Sequence, residues 1–429
     1  MQRNIEADLI SWKTSRRRKP LLVSGARQTG KTYSLRSFGK AHFKNVVYVN
    51  FETDQRICQV FDENISPEFL LHHLEIYFNQ KIMPAETLII FDEIQACERA
   101  LTSLKYFNEN APEYPVAAAG SLLGVALKRE KFSFPVGQVD QLNFYPLRLD
   151  EFFTALGESR LLQEIHSCYQ ERRPMDQLLH EKAMQIYRTY LVVGGMPEAV
   201  MIYAEDRHVT DATEINHAIL DAYVADMAKY ATPAETTRIM ACFDSMPAQL
   251  AKENHKFQYK VVAKGGRASL FGEAIDWLLA AGIVTKCENV EQASHPLEVF
   301  KDLSAFKLYL CDAGLLRTKA GMTAYDIIAG QDNLFIGALT ENYVANMLTQ
   351  NGYPLYYWTS AGKAEIDFLI EQDGKVVPVE VKSREHVKSR SLSMFCERYC
   401  PEKSIRLSGR NFGWENGIWS VPLYAAWLI

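Results

Sequence analysis

The stretch LLVSGARQTGKTYSLRSF, residues 21–38, constrains this 429-residue chain more than any other. A short apolar run breaks at Gly25, and a helical pattern resumes after Thr32. Glycines at such a strand-to-helix turn let backbone N–H groups curl inward around an anion, in conformations that a Cβ would obstruct. The loop Gly25, Ala26, Arg27, Gln28, Thr29, Gly30, Lys31 and Thr32 has the GxxxxGKT spacing of a phosphate cradle. Lys31 can then reach the β- and γ-phosphates of ATP, and Thr32 can offer its hydroxyl to Mg²⁺. The helix that follows adds the positive end of its dipole to the same anion site.

A second signal lies downstream in TLIIFDEIQ, residues 87–95. The run Leu88–Phe91 ends in Asp92 and Glu93, and a strand buried in a parallel sheet reads as such a continuous apolar run. Asp92 suits a role in holding Mg²⁺ through water, and Glu93 the role of general base on the attacking water. NVVYVNFE (45–52) and VAAAGS (116–121) supply further strands of an α/β sheet covered on both faces, whose ligands sit at the carboxyl ends of the strands. Ser121 ends its strand there, either as a sensor of the γ-phosphate or as a helix cap.

At roughly 150 residues per domain the length implies two or three folded units. With 48% apolar, 23% charged and 11% aromatic residues, the composition excludes a disordered or fibrous chain. No apolar run reaches the ~18 residues of a membrane span, and MQRNIEADLISWKTSRRRKP lacks the apolar core of a signal peptide. A cytoplasmic protein with no membrane partner is expected. The eight cysteines are scattered, only Cys396 and Cys400 being close, which favours reduced thiols over a metal site. The net charge of −5 gives no global attraction to a phosphate backbone, so contact with DNA needs a local basic patch. The densest one, Arg16–Lys19, reads equally as a solvated surface.

Residues 156–235 read as helices, with apolar residues at three- and four-residue spacing in LLQEIHSCY, EKAMQIYRTYLVV and AILDAYVADMAKY. FGEAIDWLLAAGIVTKCENV puts Ile275, Leu278 and Leu279 on one helix face, stops at Gly282 and turns into a strand. A helix followed by strands suits a winged helix over 236–325, which serves in some proteins as a DNA-binding module and in others as a spacer. The basic and aromatic stretch KENHKFQYKVVAKGGR favours the first use.

Near the end, AEIDFLIEQDGKVVPVEVKS (364–383) sets two strands about the Asp373-Gly374 turn. Residues two apart share a strand face, so Glu380 and Lys382 point the same way while Val379 and Val381 pack opposite. Asp367 can face the same spot and share a divalent cation with Glu380, leaving Lys382 to hold the water that attacks a phosphodiester. Glu341, in the helical LTENYVANML, would complete the metal set. Alternating charge on a half-exposed hairpin produces the same pattern without any chemistry.

GARQTGKT, FDEIQ, AAAGSLLG, YPLRLDEF and GGMPEAV together resemble a large prokaryotic family of AAA-type ATPases that carry a C-terminal domain of unknown function. The resemblance implies a P-loop core (1–155) with an additional catalytic glutamate, a helical linker (156–235), a winged helix (236–325) and a nuclease-like α/β domain (326–429). In those relatives a Gly-x-Pro motif touches the nucleotide, and Gly195 and Pro197 match it. Glu341, Asp367, Glu380 and Lys382 resemble the PD-(D/E)xK nuclease pattern. One departure concerns FPVGQVDQL, where the family tends to have a basic residue and this chain has Gln138. An arginine finger, including one acting between subunits of a homo-oligomer, would have to come from elsewhere, with Arg99, Lys105, Arg129 and Arg148 as candidates. Two functions remain open: an ATPase that licenses a metal-dependent nuclease, and an ATP-controlled switch that presents an inert nuclease fold to DNA or protein.

Overall fold

The computed structural model of the chain describes residues 3–121, 123–127, 137–252, 255–330, 335–360, 364–383, 390–415 and 417–429. It divides into an N-terminal unit reaching Tyr145 and a C-terminal unit built from Pro146–Leu279 and Ile283–Ile429. Among the described residues no helix is long and apolar enough to cross a membrane.

The N-terminal unit is organised by five strands, β1 (Leu21–Ser24), β2 (Asn45–Asn50), β3 (Thr87–Asp92), β4 (Val116–Ala119) and β5 (Asp140–Asn143). They lie in the order β2-β3-β4-β1-β5, and every pairing is parallel. Successive residues of a strand face opposite sides. Leu22, Val47, Val49, Ile89, Phe91 and Ala118 therefore enter one apolar core, with Leu70, Leu74, Leu101, Leu104 and Phe107 from helices Pro67–Phe78 and Glu98–Asn110. Leu21, Val23, Leu88, Ile90 and Ala117 enter the other, against Leu9, Trp12, Leu35 and Phe38 of helices Ile5–Thr14 and Lys31–His42. Burial on both faces is why β3 has no exposed residue and reads as an unbroken apolar run. The edge strand β5, in contrast, alternates half-buried and exposed positions, and its DQLN gives little strand signal.

The C-terminal unit takes over at Pro146 and includes helix Leu149–Ala155. Leu147 fixes this start: its N–H donates to the Gly195 carbonyl at 2.6 Å, and its carbonyl accepts the Tyr190 hydroxyl at 2.6 Å. Helices Ser159–Glu171, Gln177–Val193, Pro197–Asp206 and Val209–Tyr230 follow. Eight strands, β6 (Val284–Val290), β7 (Lys301–Leu310), β8 (Tyr356–Ser360), β9 (Ala364–Gln372), β10 (Lys375–Val381), β11 (Ser404–Ser408), β12 (Gly413–Glu415) and β13 (Ile418–Pro422), form one mixed sheet. Its order is β12-β13-β11-β10-β9-β8-β6-β7.

That order joins the two segments expected as a winged helix and a nuclease-like domain. β6 pairs in parallel with β8 and antiparallel with β7, so the hairpin of the first segment is the edge of the second segment's sheet. β7 is exposed at Leu303 and Ser304 and buried from Ala305 to Leu310. Helix Phe335–Gln350 is bound to the end of β7 by side chains: the Asn342 carboxamide exchanges two hydrogen bonds with Leu310, at 2.7 and 3.0 Å, and Asn346 donates a third at 2.8 Å.

Candidate functional site

In the N-terminal unit the turn after β1 has room for glycine alone. Gly25 lies at φ +139°, and a Cβ there would sit 2.1 Å from the Phe144 carbonyl oxygen, on the residue after β5. Gln28 (φ +65°) and Gly30 (φ +86°) complete the curl, and helix Lys31–His42 starts immediately after it. Lys31 is buried and its ammonium donates to the Gly25 and Ala26 carbonyls at 2.9 and 2.7 Å. Burial pushes its pKa down to about 8, with Glu93 and Asp92 acting in the opposite direction. A buried cation whose hydrogen-bond partners are neutral carbonyls is a ready anion site, because a phosphate oxygen replaces a carbonyl with a net gain in Coulomb energy. Arg3 braces the loop from outside, donating to the Thr29 and Tyr145 carbonyls at 3.1 and 2.9 Å; nothing in the sequence pointed to it.

Thr32 donates to Asp92 Oδ2 at 2.8 Å, and Tyr48 donates to the same oxygen at 2.7 Å. The hydroxyl and carboxylate expected to share Mg²⁺ therefore already touch, and the oxygen-only donor set suits that hard cation. Glu93 follows in the left-handed region, at φ +50°. Its Oε2 accepts from Gln95 Nε2 at 2.6 Å and, over a longer 3.4 Å, from the Ser121 hydroxyl. Ser121 is thus placed beside the candidate base. Gln95 was not anticipated, although it stands in the same FDEIQ run; Gly120 makes room for it, since a Cβ there would meet Gln95 Oε1 at 2.3 Å.

Gln138 accepts from Asn108 at 2.5 Å. Of the basic residues considered in its stead, Arg99 donates to the Phe61 carbonyl at 2.8 Å, and Lys105 lies 4.0 Å from Glu109. Arg148 forks onto Asp150 at 2.8 and 2.7 Å and reaches Asn351 at 2.6 Å, within the C-terminal unit. Arg129 lies outside the described residues. In the basic cluster, Arg18 donates to the Pro112 and Glu113 carbonyls and Lys19 to that of Gly137.

Gly195 and Pro197 lie in the C-terminal unit, the first buried and the second half-buried. The Gly195 N–H donates to Asp312 Oδ2 at 2.6 Å, and Cβ atoms at Gly194 and Gly195 would meet Asp312 Oδ1 at 2.3 Å and the Leu147 carbonyl at 2.1 Å. Asp312 also caps helix Ala313–Lys319 through Leu315 N–H at 2.9 Å, and burial pushes its carboxyl up to about 6 against those backbone donors. Pro197 opens helix Pro197–Asp206.

The C-terminal sheet gathers the four nuclease-like residues. Asp367 Oδ2, on β9, accepts the Val381 N–H at 2.7 Å; burial, then the charge of Glu341, push this carboxyl up to about 7. Glu380 is fully buried on β10, and Lys382 lies 3.1 Å from its Oε1. Glu341, however, is enclosed by partners that the sequence reading missed. Its Oε1 accepts from the Lys307 ammonium at 2.9 Å and from the Tyr309 hydroxyl, and its Oε2 meets His255 Nδ1 at 2.6 Å. Lys307 is 0% exposed, pairs also with Glu365 at 2.6 Å, and lies 4.9 Å from the centre of the Tyr357 ring. Burial opposes a charge on His255, and the Glu341 carboxylate more than restores it, raising its pKa. Three cations thus face four carboxylates, and a divalent ion does not fit a carboxylate whose two oxygens already hold three donors. Among the described residues no group of three or more His, Cys, Asp or Glu is arranged to hold a metal. The signal for Lys307 was present: it is a lysine inside the otherwise apolar run of AFKLYL.

Residues 17–153 match the AAA domain family. Residues 184–326 and 336–426 match two domains of unknown function, DUF8612 and DUF4143. No curated protein matches the chain. Among solved structures it is similar to the Walker-type ATPase of Pyrococcus abyssi, at 13% identity over 74% of this chain and 95% of that one, with a TM-score of 0.45. It is also similar to the Aeropyrum pernix Orc1 protein in complex with DNA, at 12% identity over 77% and 94% of the two chains and TM-score 0.29. For Thermotoga maritima RuvB, the Holliday junction branch migration motor, the figures are 14%, 66%, 88% and 0.28. The N-terminal unit is an AAA-type P-loop domain, and the C-terminal unit is a mixed-sheet α/β domain.

Proposed function

We propose that the chain binds ATP with Mg²⁺ at residues 25–32, hydrolyses it, and uses the nucleotide state to control a C-terminal module that engages DNA without cutting it. The observation that carries the first part is the hold on Lys31: two carbonyls that a phosphate can replace. In this reading Lys31 moves from Gly25 and Ala26 to oxygens of the β- and γ-phosphates. Thr32 and Asp92 would hold Mg²⁺, which when bound spreads the negative charge of those phosphates. Glu93, released from Gln95, takes a proton from the water that attacks the γ-phosphorus, the bond to the β-phosphate oxygen breaks, and ADP and phosphate result. Ser121, beside Glu93, reports on the γ-phosphate.

For the DNA-engaging part, support comes from helix Ala268–Ala280 followed by the β6–β7 hairpin, a helix-then-hairpin order suited to a winged helix, with Lys260, Lys264 and Arg267 exposed just before it. A second reading, metal-dependent cleavage by Asp367, Glu380 and Lys382, is favoured by their shared location; the hold of Lys307 and His255 on Glu341 weighs against it. Calorimetry with ATP and a phosphate-release assay test the proposal. Wild type should bind and turn over ATP, and Lys31→Ala should weaken both. Equal ATP binding by wild type and Lys31→Ala would overturn the assignment of the loop.

A further inference from the structure

We propose that Lys307 is the permanent internal cation of the C-terminal acidic cluster, occupying by its charge the role that a divalent metal has in a nuclease, so that this site does not take up Mg²⁺ or Mn²⁺. The inference rests on the inert-module reading above and supplies its cause. Lys307 and Tyr309 are two apart on β7 and so share a face, and both donate to Glu341 Oε1. Glu365 and Asp367 likewise share a face of β9, and Glu365 takes the same ammonium at 2.6 Å. One fully buried nitrogen therefore ties helix Phe335–Gln350 to β7 and β9. His255 closes the remaining oxygen of Glu341 at 2.6 Å.

A divalent ion needs several carboxylate oxygens to itself, stripped of other donors. To recruit Glu341 it would have to expel an ammonium that has no exposed surface. An uncompensated buried lysine would remain, at a cost that a weakly held metal does not return. The remaining carboxylates are also engaged: Asp367 accepts a backbone N–H, and Glu380 faces Lys382. Glu341 and Glu365 are thus neutralised by groups from β7 and from the segment before helix Ala268–Ala280, and Glu380 is faced by Lys382.

The test is Mn²⁺ binding followed by electron paramagnetic resonance on nucleotide-free full chain, which keeps the result independent of the ATP site. Wild type and Asp367→Ala should give the same free-Mn²⁺ signal across a titration to millimolar metal. Lys307→Met should open the site, so that one Mn²⁺ per chain is bound and lost again in Lys307→Met with Asp367→Asn. Because the single variant strands two glutamates, Lys307→Met with Glu365→Gln serves as the second opened form, its thermal midpoint read in Mn²⁺ against EDTA. Stoichiometric Mn²⁺ binding by wild type that disappears in Asp367→Ala would overturn the proposal. So would a folded Lys307→Met/Glu365→Gln protein that remains blind to the metal.

Discussion

Two buried lysines, Lys31 and Lys307, stand beside acidic residues in this molecule, and what holds each ammonium separates the two regions. Lys31 donates to two carbonyls, hydrogen bonds it can exchange for those of an incoming phosphate. Lys307 donates to two carboxylates, so its charge is already answered. The carboxylates differ in the same sense. Asp92 is touched by two hydroxyls, which a cation can displace or share, whereas Glu341 is touched by an ammonium, an imidazole and a phenol. A residue type at the right spacing marks a place in a fold; the partner of each charge decides whether that place can accept a ligand.

The largest effect expected on the open side of this comparison is that of Glu93→Gln. It keeps the shape of the side chain and loses the base, so ATP should bind normally while phosphate release falls about 10²–10⁴-fold. Unchanged turnover would mean that another group activates the water. On the closed side, Lys307→Met should lower the stability of the chain by about 3–5 kcal/mol, the cost of leaving buried carboxylates without their cation. Urea unfolding measures it, and adding Glu341→Gln should recover part of the loss. Independent, additive effects of the two substitutions would break the account of the cluster.

Much of the open side was legible in the sequence, because the turn at Gly25, the helix at Lys31 and the apolar run before Asp92 are local features. β1, β2, β3 and β4 each carry their own apolar signature. β5 escaped notice because an edge strand needs no such run. The closed side was legible only in part. Glu341, Asp367, Glu380 and Lys382 could be named from strand periodicity and resemblance, but Lys307, His255 and Tyr309 reach Glu341 from far along the chain, and no local pattern announces a contact between distant segments. The same limit applies to the sheet itself. The β6–β7 hairpin is local, but its pairing with β8 is a long-range event. GGMPE illustrates a related ambiguity: Gly195, a nucleotide contact by resemblance, is also required by the close approach of the Leu147 carbonyl.

Two smaller effects sharpen the comparison. Lys31→Ala should weaken ATP binding about 30-fold, the worth of a charge-assisted contact of ~2 kcal/mol, with little change in urea stability, since only neutral carbonyls lose a partner. A large stability loss would place Lys31 with Lys307 instead. Asp312 offers the third case, a buried carboxyl held by backbone N–H groups without a cation. Its pKa is raised to about 6, so protonation favours the folded state. The contribution is full below the ordinary carboxylate range and is lost as pH rises through about 6. Against Asp312→Asn, which does not titrate, wild type should lose about 2–3 kcal/mol of relative stability between pH 4 and pH 7. A flat difference across that window would show that the backbone donors fully offset its burial.

The most direct test of an open ATP site beside a closed acidic cluster is a single Mg²⁺ reaction containing ATP and linear DNA, in which phosphate release and DNA length are read from the same tube. Phosphate should be released by wild type, and not by Glu93→Gln, while the DNA remains full length throughout. DNA shortening by wild type that persists in Glu93→Gln and vanishes in Lys382→Ala would contradict the account, because it would show a working metal centre where Lys307 is held to close it.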